Sequence, residues 1–340
     1  MDKLINTFNI FSEELNLLLS GENGKHISLQ EFNNIVTKAY EENAWFIPKH
    51  IKTALSHIAS FTKKEVITEW VNKYKYNIPN VPKKVLVVMA GNIPLVGFHD
   101  MLSVWITGHR LVAKLSSKDK VLPKFVVNLL TRINGDFSSK YIFTEDTIKD
   151  FDAVIATGSD NSALYFEKYF GKYPNIIRRN KNSIAILDGN ETEEDLLRLA
   201  DDIFLYFGLG CRNIAKLYLP KGYDLQKIIS TFSKSVYSSF VEHNKYSNNY
   251  DYHKAIYIMN NIPFEDGGFF LLKEDTALSS PVSVIYYEHY SKKDNINTKL
   301  FPIIDKIQVI LKKENFGTAQ FPSVMEYADN TDTIKFLTTI

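Results

Sequence analysis

The sequence predicts an α/β protein built on a parallel sheet, and three observations carry that prediction. Val85-Leu86-Val87-Val88-Met89-Ala90 is a short, unbroken apolar run, the pattern of a strand buried on both faces. From there to about residue 188, apolar runs and helix-period stretches alternate at the spacing of βαβ units. Ahead of Lys83 the periodicity is helical only.

The 340 residues allow two domains and a large core. Apolar residues make up 45%, charged residues 23%, and the net charge is +1. That is the balance of a globular protein, and it gives no electrostatic case for nucleic acid as a partner. No apolar run approaches the roughly 20 residues that span a bilayer. The N-terminus lacks the basic, apolar and small-residue order of a secretory signal, so a cytoplasmic protein is expected. One cysteine in the whole chain agrees with a reducing compartment and rules out an internal disulfide.

Residues 1 to about 80 read as a helical layer covering a sheet. Ser28-Leu29-Gln30-Glu31 has the form of a capping box, with Ser28 accepting from the backbone three residues on and Glu31 reaching back. Helices are expected from about 48 to 60 and from Thr62, and the prolines of Ile78-Pro79-Asn80-Val81-Pro82 stop the second. Strands follow at 85–90, 111–115, 140–143 and 152–156, with helices to about 107, from 119 to 132 and from Ser159 to 170. Ligands of such sheets bind at the carboxyl ends of the strands. Gly91-Asn92, Lys114-Leu115-Ser116-Ser117 and Thr157-Gly158-Ser159 fall there.

Ser183-Ile184-Ala185-Ile186-Leu187 is a further strand, and Asp188-Gly189 marks the domain boundary. Thr192 caps the next helix, with acidic residues in its first turn. Its apolar face is expected to be Leu196, Leu197, Ala200, Ile203, Phe204 and Phe207, and its end at Gly208 or Gly210. The adjacent Asp201 and Asp202 cannot both face one site and read as solvated. Cys211 then lies on a connection before the strand 215–220, where a scaffold can present a side chain. A helix from Asp224 to about Glu242 and strands near 269–272, 282–287 and 307–311 complete the order.

A lone cysteine usually packs as a small hydrophobe, so the chemistry rests on what surrounds it. No strand-associated G-x-G-x-x-G is present, since Gly208-Leu209-Gly210 follows a helix. His99 and His109 are too far apart for an i, i+4 metal pair, His243 and His253 are isolated, and no metal site is expected. Asn92 before proline reads equally as a turn residue, Lys114 as a strand-end lysine, and Ser159 as a helix cap.

The landmarks nonetheless come in a familiar order. Ala90-Gly91-Asn92-Ile93-Pro94, Lys114-Leu115-Ser116-Ser117, Ala156-Thr157-Gly158-Ser159 and Gly208-Leu209-Gly210-Cys211 resemble, in sequence, four motifs of the aldehyde dehydrogenase superfamily. With the late Gly317-Thr318-Ala319-Gln320-Phe321-Pro322, they look closest to its fatty-acyl-CoA reductases of the LuxC type. The resemblance covers about 80 to 330. It implies an aldehyde-dehydrogenase-like fold: N-terminal helices and a variant Rossmann domain (1–188), an α/β catalytic domain (189–330) and a tail (331–340), with the active site between the domains.

It also implies roles. Cys211 would take an acyl group from a thioester, with the Asn92 amide donating to the oxyanion. Lys114, Ser116, Ser117, Thr157, Gly158 and Ser159 would hold the nicotinamide cofactor, with Ser159 near its pyrophosphate. The glutamate that activates hydrolytic water in many dehydrogenases falls here on Ile177, which favours reduction over hydrolysis. Ser117 stands where NAD-preferring members carry glutamate, so NADPH is accepted and NADH remains allowed. Glu288 lacks the motif of the superfamily's ribose-binding glutamate.

The expected activity is NADPH-dependent reduction of a long-chain acyl-CoA, or another acyl thioester, to the fatty aldehyde. An acyl-protein synthetase partner and a homo-oligomer are expected by the same resemblance. A cysteine acyltransferase or thioesterase would share the acyl-enzyme and need no cofactor. A non-catalytic nucleotide-binding protein of the same fold would bind cofactor and leave Cys211 unacylated.

Overall fold

A computed structural model describes residues 1–74, 81–144, 150–291 and 296–340. The proposed stop at Ile78-Pro79-Asn80 therefore lies outside the described residues. The chain forms two compact units, Met1–Asn180 with Ser323–Ile340, and Lys181–Pro322. The division precedes the Asp188-Gly189 turn because the strand before that turn pairs with strands of the second sheet.

The first unit opens with α1 (Asp2–Ser20), α2 (Leu29–Glu42), α3 (Pro48–Phe61) and α4 (Lys64–Asn72). Ser28 caps α2 by accepting from the Glu31 N–H at 3.1 Å. Only half of the expected box forms, because the Glu31 carboxylate turns instead to Arg132, at 2.6 and 2.9 Å. Alternation then sets in: β1 (Lys84–Val88), α5 (Phe98–Ile106), β2 (Arg110–Lys114), α6 (Val121–Ile133), β3 (Tyr141–Thr144), β4 (Ala153–Thr157), α7 (Asp160–Phe170) and β5 (Asn175–Arg178). The strands form one parallel sheet in the order β3-β2-β1-β4-β5.

Period-two burial explains why this sheet needs both faces covered. Val85 and Val87 of β1, Leu111 and Ala113 of β2 and Ile155 of β4 join the core made with the N-terminal helices, α5 and α6. Leu86, Val112, Val154 and Ala156 face the other way, against Phe151 and the Phe166 and Phe170 rings of α7.

The expected C-terminal tail is part of this unit's core. Its helix α12 (Thr333–Leu337), which follows the second-unit elements in the chain, carries the buried Ile334 and Leu337. Trp70 Nε1–H donates to the Tyr327 hydroxyl at 2.7 Å, and Tyr74 bonds both Tyr327 and Asp332. His99 Nε2–H donates to Val324 C=O and His109 Nε2–H to Leu337 C=O, both at 2.8 Å. The His109 Nδ1 accepts from the Lys83 N–H at 3.1 Å, so the fold uses the neutral ring.

Burial holds both imidazoles below their ordinary pKa. A depressed histidine stabilises the fold above the unfolded value of about 6.5, and that contribution is lost as pH falls below it. Two buried carboxyls described below act in the opposite direction. The histidine share is therefore read as a difference: between pH 7.5 and 5, wild type should lose more thermal stability than His109→Asn.

The second unit runs β6 (Asn182–Ile186), α8 (Glu193–Phe204), β7 (Ile214–Pro220), α9 (Leu225–Ser233), α10 (Asn244–Met259), β8 (Glu265–Asp266), β9 (Leu271–Glu274), β10 (Val284–Tyr290), α11 (Ile296–Leu300) and β11 (Ile307–Lys312). Its sheet order is β11-β6-β7-β10-β9-β8, parallel except for β8 with β9. The expected helix 224–242 is α9 followed by a 3₁₀ segment, Val236–Glu242, started by the Ser235 hydroxyl. Among the described residues no helix is long and apolar enough to cross a membrane.

Candidate active site

In the first unit the polar landmarks converge on one edge of the sheet. Register pairs Val88 of β1 with Lys114 of β2 and with Ala156 of β4, so the carboxyl ends of these three strands lie side by side. That edge carries the half-buried Asn92, Ser116, Thr157 and Gly158, and the exposed Lys114, Ser117 and Ser159. The strand order reverses direction at β1, which makes the crevice between β1 and β4 the switch point where such sheets take nucleotides.

Two glycines on this edge permit close approach. A Cβ on Gly91 would lie 2.5 Å from the Ser116 Oγ, and one on Gly158 would lie 2.8 Å from the Ser162 Cβ. Ser159 caps α7, accepting from the Ser162 N–H at 3.3 Å. The loop holding Asn92 is braced from below. Leu95 has a left-handed φ of 56° and gives its N–H to the Asp119 carboxylate at 2.8 Å. Burial pushes the Asp119 carboxyl up to about 7, against the lowering bonds from the Leu95 and Leu122 N–H groups.

In the second unit the structure corrects the expected end of α8. The capping box of Thr192 with Asp195 forms at its start. The helix stops at Phe204, however, one turn before Gly208. Tyr206 and Phe207 take left-handed φ of 56° and 58°, followed by Gly208 at 73°. For a non-glycine residue this conformation costs about 1–2 kcal/mol. The sequence pattern missed it because two aromatic residues are poor candidates for left-handed backbone.

Two contacts hold the turn. The Phe207 ring packs 4.3 Å from Phe240 and 4.5 Å from His243 between centroids. Asn213, 3% exposed, caps the helix from beyond the turn. Its amide N–H group donates to the carbonyls of Asp202 (3.1 Å), Ile203 (3.1 Å) and Leu205 (2.8 Å). These are the acceptors that a helix end leaves without partners. The Asn213 Oδ1 accepts from the Gly210 N–H at 2.8 Å.

Cys211 sits inside that clamp, half-buried on the turn between Gly210 and β7. Its carbonyl accepts from the Ser183 hydroxyl at 2.9 Å. Arg212 Nε–H donates to the Ala319 carbonyl. The chain thus bends sharply and lifts the cysteine from the strand on bonds made by its neighbours.

The solvated reading of Asp202 is overturned. It is 1% exposed, and its carboxylate accepts from the Gly317 N–H at 2.6 Å and the Ala319 N–H at 2.8 Å. Asp201 is exposed and accepts from the Tyr237 hydroxyl. The helix face is also turned slightly: Leu199 is buried, while Leu197 is 38% exposed. Asp202 lies three residues after Leu199, so a carboxylate on the apolar face was the available signal. Asn213 and Arg212 gave no such signal, since Asn213 reaches back across an unexpected turn to backbone carbonyls and the partner of Arg212 lies 107 residues on.

Other polar residues are engaged in the scaffold. Glu288 bonds Lys216, which is fully buried, and Lys299, which is exposed, each at 2.8 Å. Burial opposes its ionisation, but these two lysines prevail and hold it below the usual carboxylate range. His243 caps α10 by accepting from the Tyr246 N–H. Ile177 lies on β5, opposite Ala156. Among the described residues no three His, Cys, Asp or Glu side chains cluster to hold a metal ion.

Known proteins give this arrangement a context. Residues 25–239 match the family model described as "Acyl-CoA reductase (LuxC)". The chain is 25% identical over 185 residues to the "Long-chain acyl-protein thioester reductase" of Aliivibrio fischeri. It is 23% identical over 185 residues to the "Long-chain acyl-protein thioester reductase 2" of Photobacterium leiognathi. Each match covers 49% of this chain and 39% of the relative. In fold, it superposes on the crystal structure of an indole-3-acetaldehyde dehydrogenase complexed with NAD+ with a TM-score of 0.62. That match is 10% identical and covers 91% of this chain and 76% of the other. The fold is therefore aldehyde-dehydrogenase-like, with a Rossmann-like parallel sheet in the first unit.

Proposed function

The chain belongs to the acyl-CoA reductase (LuxC) family, and from that premise we propose that it reduces a long-chain acyl thioester to the fatty aldehyde through an acyl-cysteine on Cys211. One observation supports the cysteine above all. The only cysteine in the sequence stands on a turn with two strained aromatic residues, clamped by a buried asparagine. Backbone strain persists where surrounding structure over-determines it, and such places are enriched in reactive residues.

The Cys211 thiolate attacks the thioester carbonyl carbon, forming a carbon–sulfur bond and an oxyanion. Asn92 and the Cys211 N–H serve as oxyanion donors. The oxyanion collapses, expelling the donor thiolate, which takes a proton. Reduced nicotinamide, when bound, supplies the hydride for the next step. The Cys211 sulfur then leaves as a thiolate, the carbonyl re-forms as the aldehyde, and the cysteine is regenerated.

The cofactor edge of the first sheet fits a dinucleotide. Gly91 and Gly158 let the strand ends pack closely against Ser116 and Ser162, and the α7 N-terminus favours phosphate. Lys114, Ser116, Ser117, Thr157, Gly158 and Ser159 would line it. Ser117 presents no carboxylate to repel a 2′-phosphate, which supports NADPH with NADH as a weaker substitute. Ile177 offers no base for water, so the acyl-cysteine persists until it is reduced.

The A. fischeri and P. leiognathi relatives are named for acyl-protein thioesters. The native donor here is accordingly an acyl-CoA or an acyl-protein, the latter supplied by a synthetase partner. The test is product identity with long-chain acyl-CoA and NADPH: one aldehyde formed for each NADPH oxidised. Release of free acid without NADPH oxidation would instead mark a thioesterase. Asn92→Ala should lower kcat by about 10²–10³-fold, the effect of removing one oxyanion donor, measured as NADPH oxidation under saturating thioester.

A further inference from the structure

The motif Gly317-Thr318-Ala319-Gln320 has no part in the chemistry described so far, yet its backbone converges on the Cys211 turn. We propose that Asp202 is a positioning residue that docks this loop against the Cys211 turn and so sets the reactivity of the thiol. The inference rests on the acyl-cysteine reading for its catalytic meaning.

The loop and the turn share their supports. Ala319 uses both of its backbone groups in the tie: its N–H goes to the Asp202 Oδ1 at 2.8 Å, and its carbonyl takes the Arg212 Nε–H. Gly317 gives its N–H to the Asp202 Oδ2 at 2.6 Å from a left-handed φ of 89°. A Cβ there would meet the Arg198 Cβ at 3.3 Å, so a side chain at 317 would be both strained and crowded. The Asp202 carbonyl in turn accepts from Asn213, whose Oδ1 fixes Gly210. Gly210 and Arg212, the residues on either side of Cys211, are thus tied to one network that passes through Asp202.

The ionised carboxylate accepts one N–H on each oxygen, whereas the protonated form keeps only one good acceptor for these two donors. Burial raises this carboxyl to about 6, against the lowering bonds from Gly317 and Ala319. The charged groups around it are Asp201, which raises it, and Arg198, which lowers it. The Tyr237 hydroxyl, bonded to Asp201, belongs to the same environment, and Arg212 meets the loop at the Ala319 carbonyl. Protonation near pH 6 therefore changes the charge and one of the two N–H bonds that join the loop to the Cys211 turn, while the raised value means that the buried, docked state is itself favoured as pH falls.

The experiment measures alkylation of Cys211 by iodoacetamide from pH 5 to 9, and acylation of Cys211 by long-chain acyl-CoA. It uses wild type, Asp202→Asn and Arg212→Lys, with thermal unfolding as a control. Wild type should show a step in alkylation near pH 6 in addition to the thiol's own titration. In Asp202→Asn that step should vanish. Acylation should slow by about tenfold with little change in the KM for NADPH, the scale of a small misplacement of a reacting atom.

Arg212→Lys keeps the charge and loses the Nε–H to Ala319, so it should slow acylation while keeping the step near pH 6. A folded Asp202→Asn with the wild-type alkylation profile and acylation rate would overturn the proposal. If Asp202→Asn does not fold, wild-type acylation in Arg212→Lys does the same. If wild type shows the alkylation step but takes no acyl group, the acyl-cysteine reading fails and the positioning of the thiol stands.

Discussion

Cys211→Ala should abolish acyl-enzyme formation and thioester-dependent NADPH oxidation together, while leaving the fold intact. The expected loss is about 10⁴-fold or more, the scale seen when a nucleophile that acts in concert with other groups is removed. The fold should survive because these bonds of the clamp run through backbone groups and neighbouring side chains. Ser183 binds the Cys211 carbonyl, Asn213 binds Gly210, and Arg212 binds Ala319. Alanine keeps all of these backbone contacts, and the half-buried position tolerates a smaller side chain. NADPH binding, measured by fluorescence enhancement, should be unchanged, which separates lost chemistry from lost cofactor. Full reductase activity in the variant would contradict the assignment.

Asp100→Ala should be the most destabilising single change in the first unit. Asp100, in the first turn of α5, receives the Arg178 guanidinium through two bonds, of 2.5 and 2.9 Å. Arg178 ends β5 and also donates to the Thr333 hydroxyl of α12 at 3.0 Å. Both side chains of the ion pair are about nine-tenths buried or more. Removing the carboxylate takes both of the Asp100 bonds from a guanidinium that stays out of water. Breaking a buried pair in this way costs about 3–5 kcal/mol, a large part of the 5–15 kcal/mol that holds a domain together. Trp45, Trp70 and Trp105 all lie in the first unit, so the urea midpoint by tryptophan fluorescence reads it selectively. The double change Asp100→Leu with Arg178→Met should recover most of the loss, since it buries no charge.

Four of the first unit's five strands were legible in the sequence, for a physical reason, while β5 was not. Strands buried on both faces must be apolar throughout, so Val85 to Ala90 and Ala153 to Ala156 stand out against amphipathic helices. The Thr192 cap and the connection carrying Cys211 were legible because capping chemistry is local. The contacts that shape the turn were not. Asn213 closes a helix from beyond a turn that the pattern did not reveal, and Asp202 binds amides at 317 and 319, far along the chain. Tyr206 and Phe207 adopt a backbone that propensity disfavours, which only tertiary packing stabilises. Residues 331–340 read as a tail and 323–330 as part of the catalytic domain because the partners of this segment, Trp70, Tyr74, His99, His109 and Arg178, lie 155 to 258 residues earlier. The helix α10 was missed outright, since its Asn- and Tyr-rich sequence lacks a continuous apolar stripe.

Peptide mass analysis after incubation with long-chain acyl-CoA tests the central claim most directly. Without NADPH, the peptide containing Cys211 should carry one acyl group, removed by hydroxylamine as a thioester is. On adding NADPH the acyl mass should disappear from that peptide, and an equal amount of fatty aldehyde should form. Aldehyde formation with Cys211 unmodified throughout, or an acyl-Cys211 that NADPH leaves in place, would contradict the account.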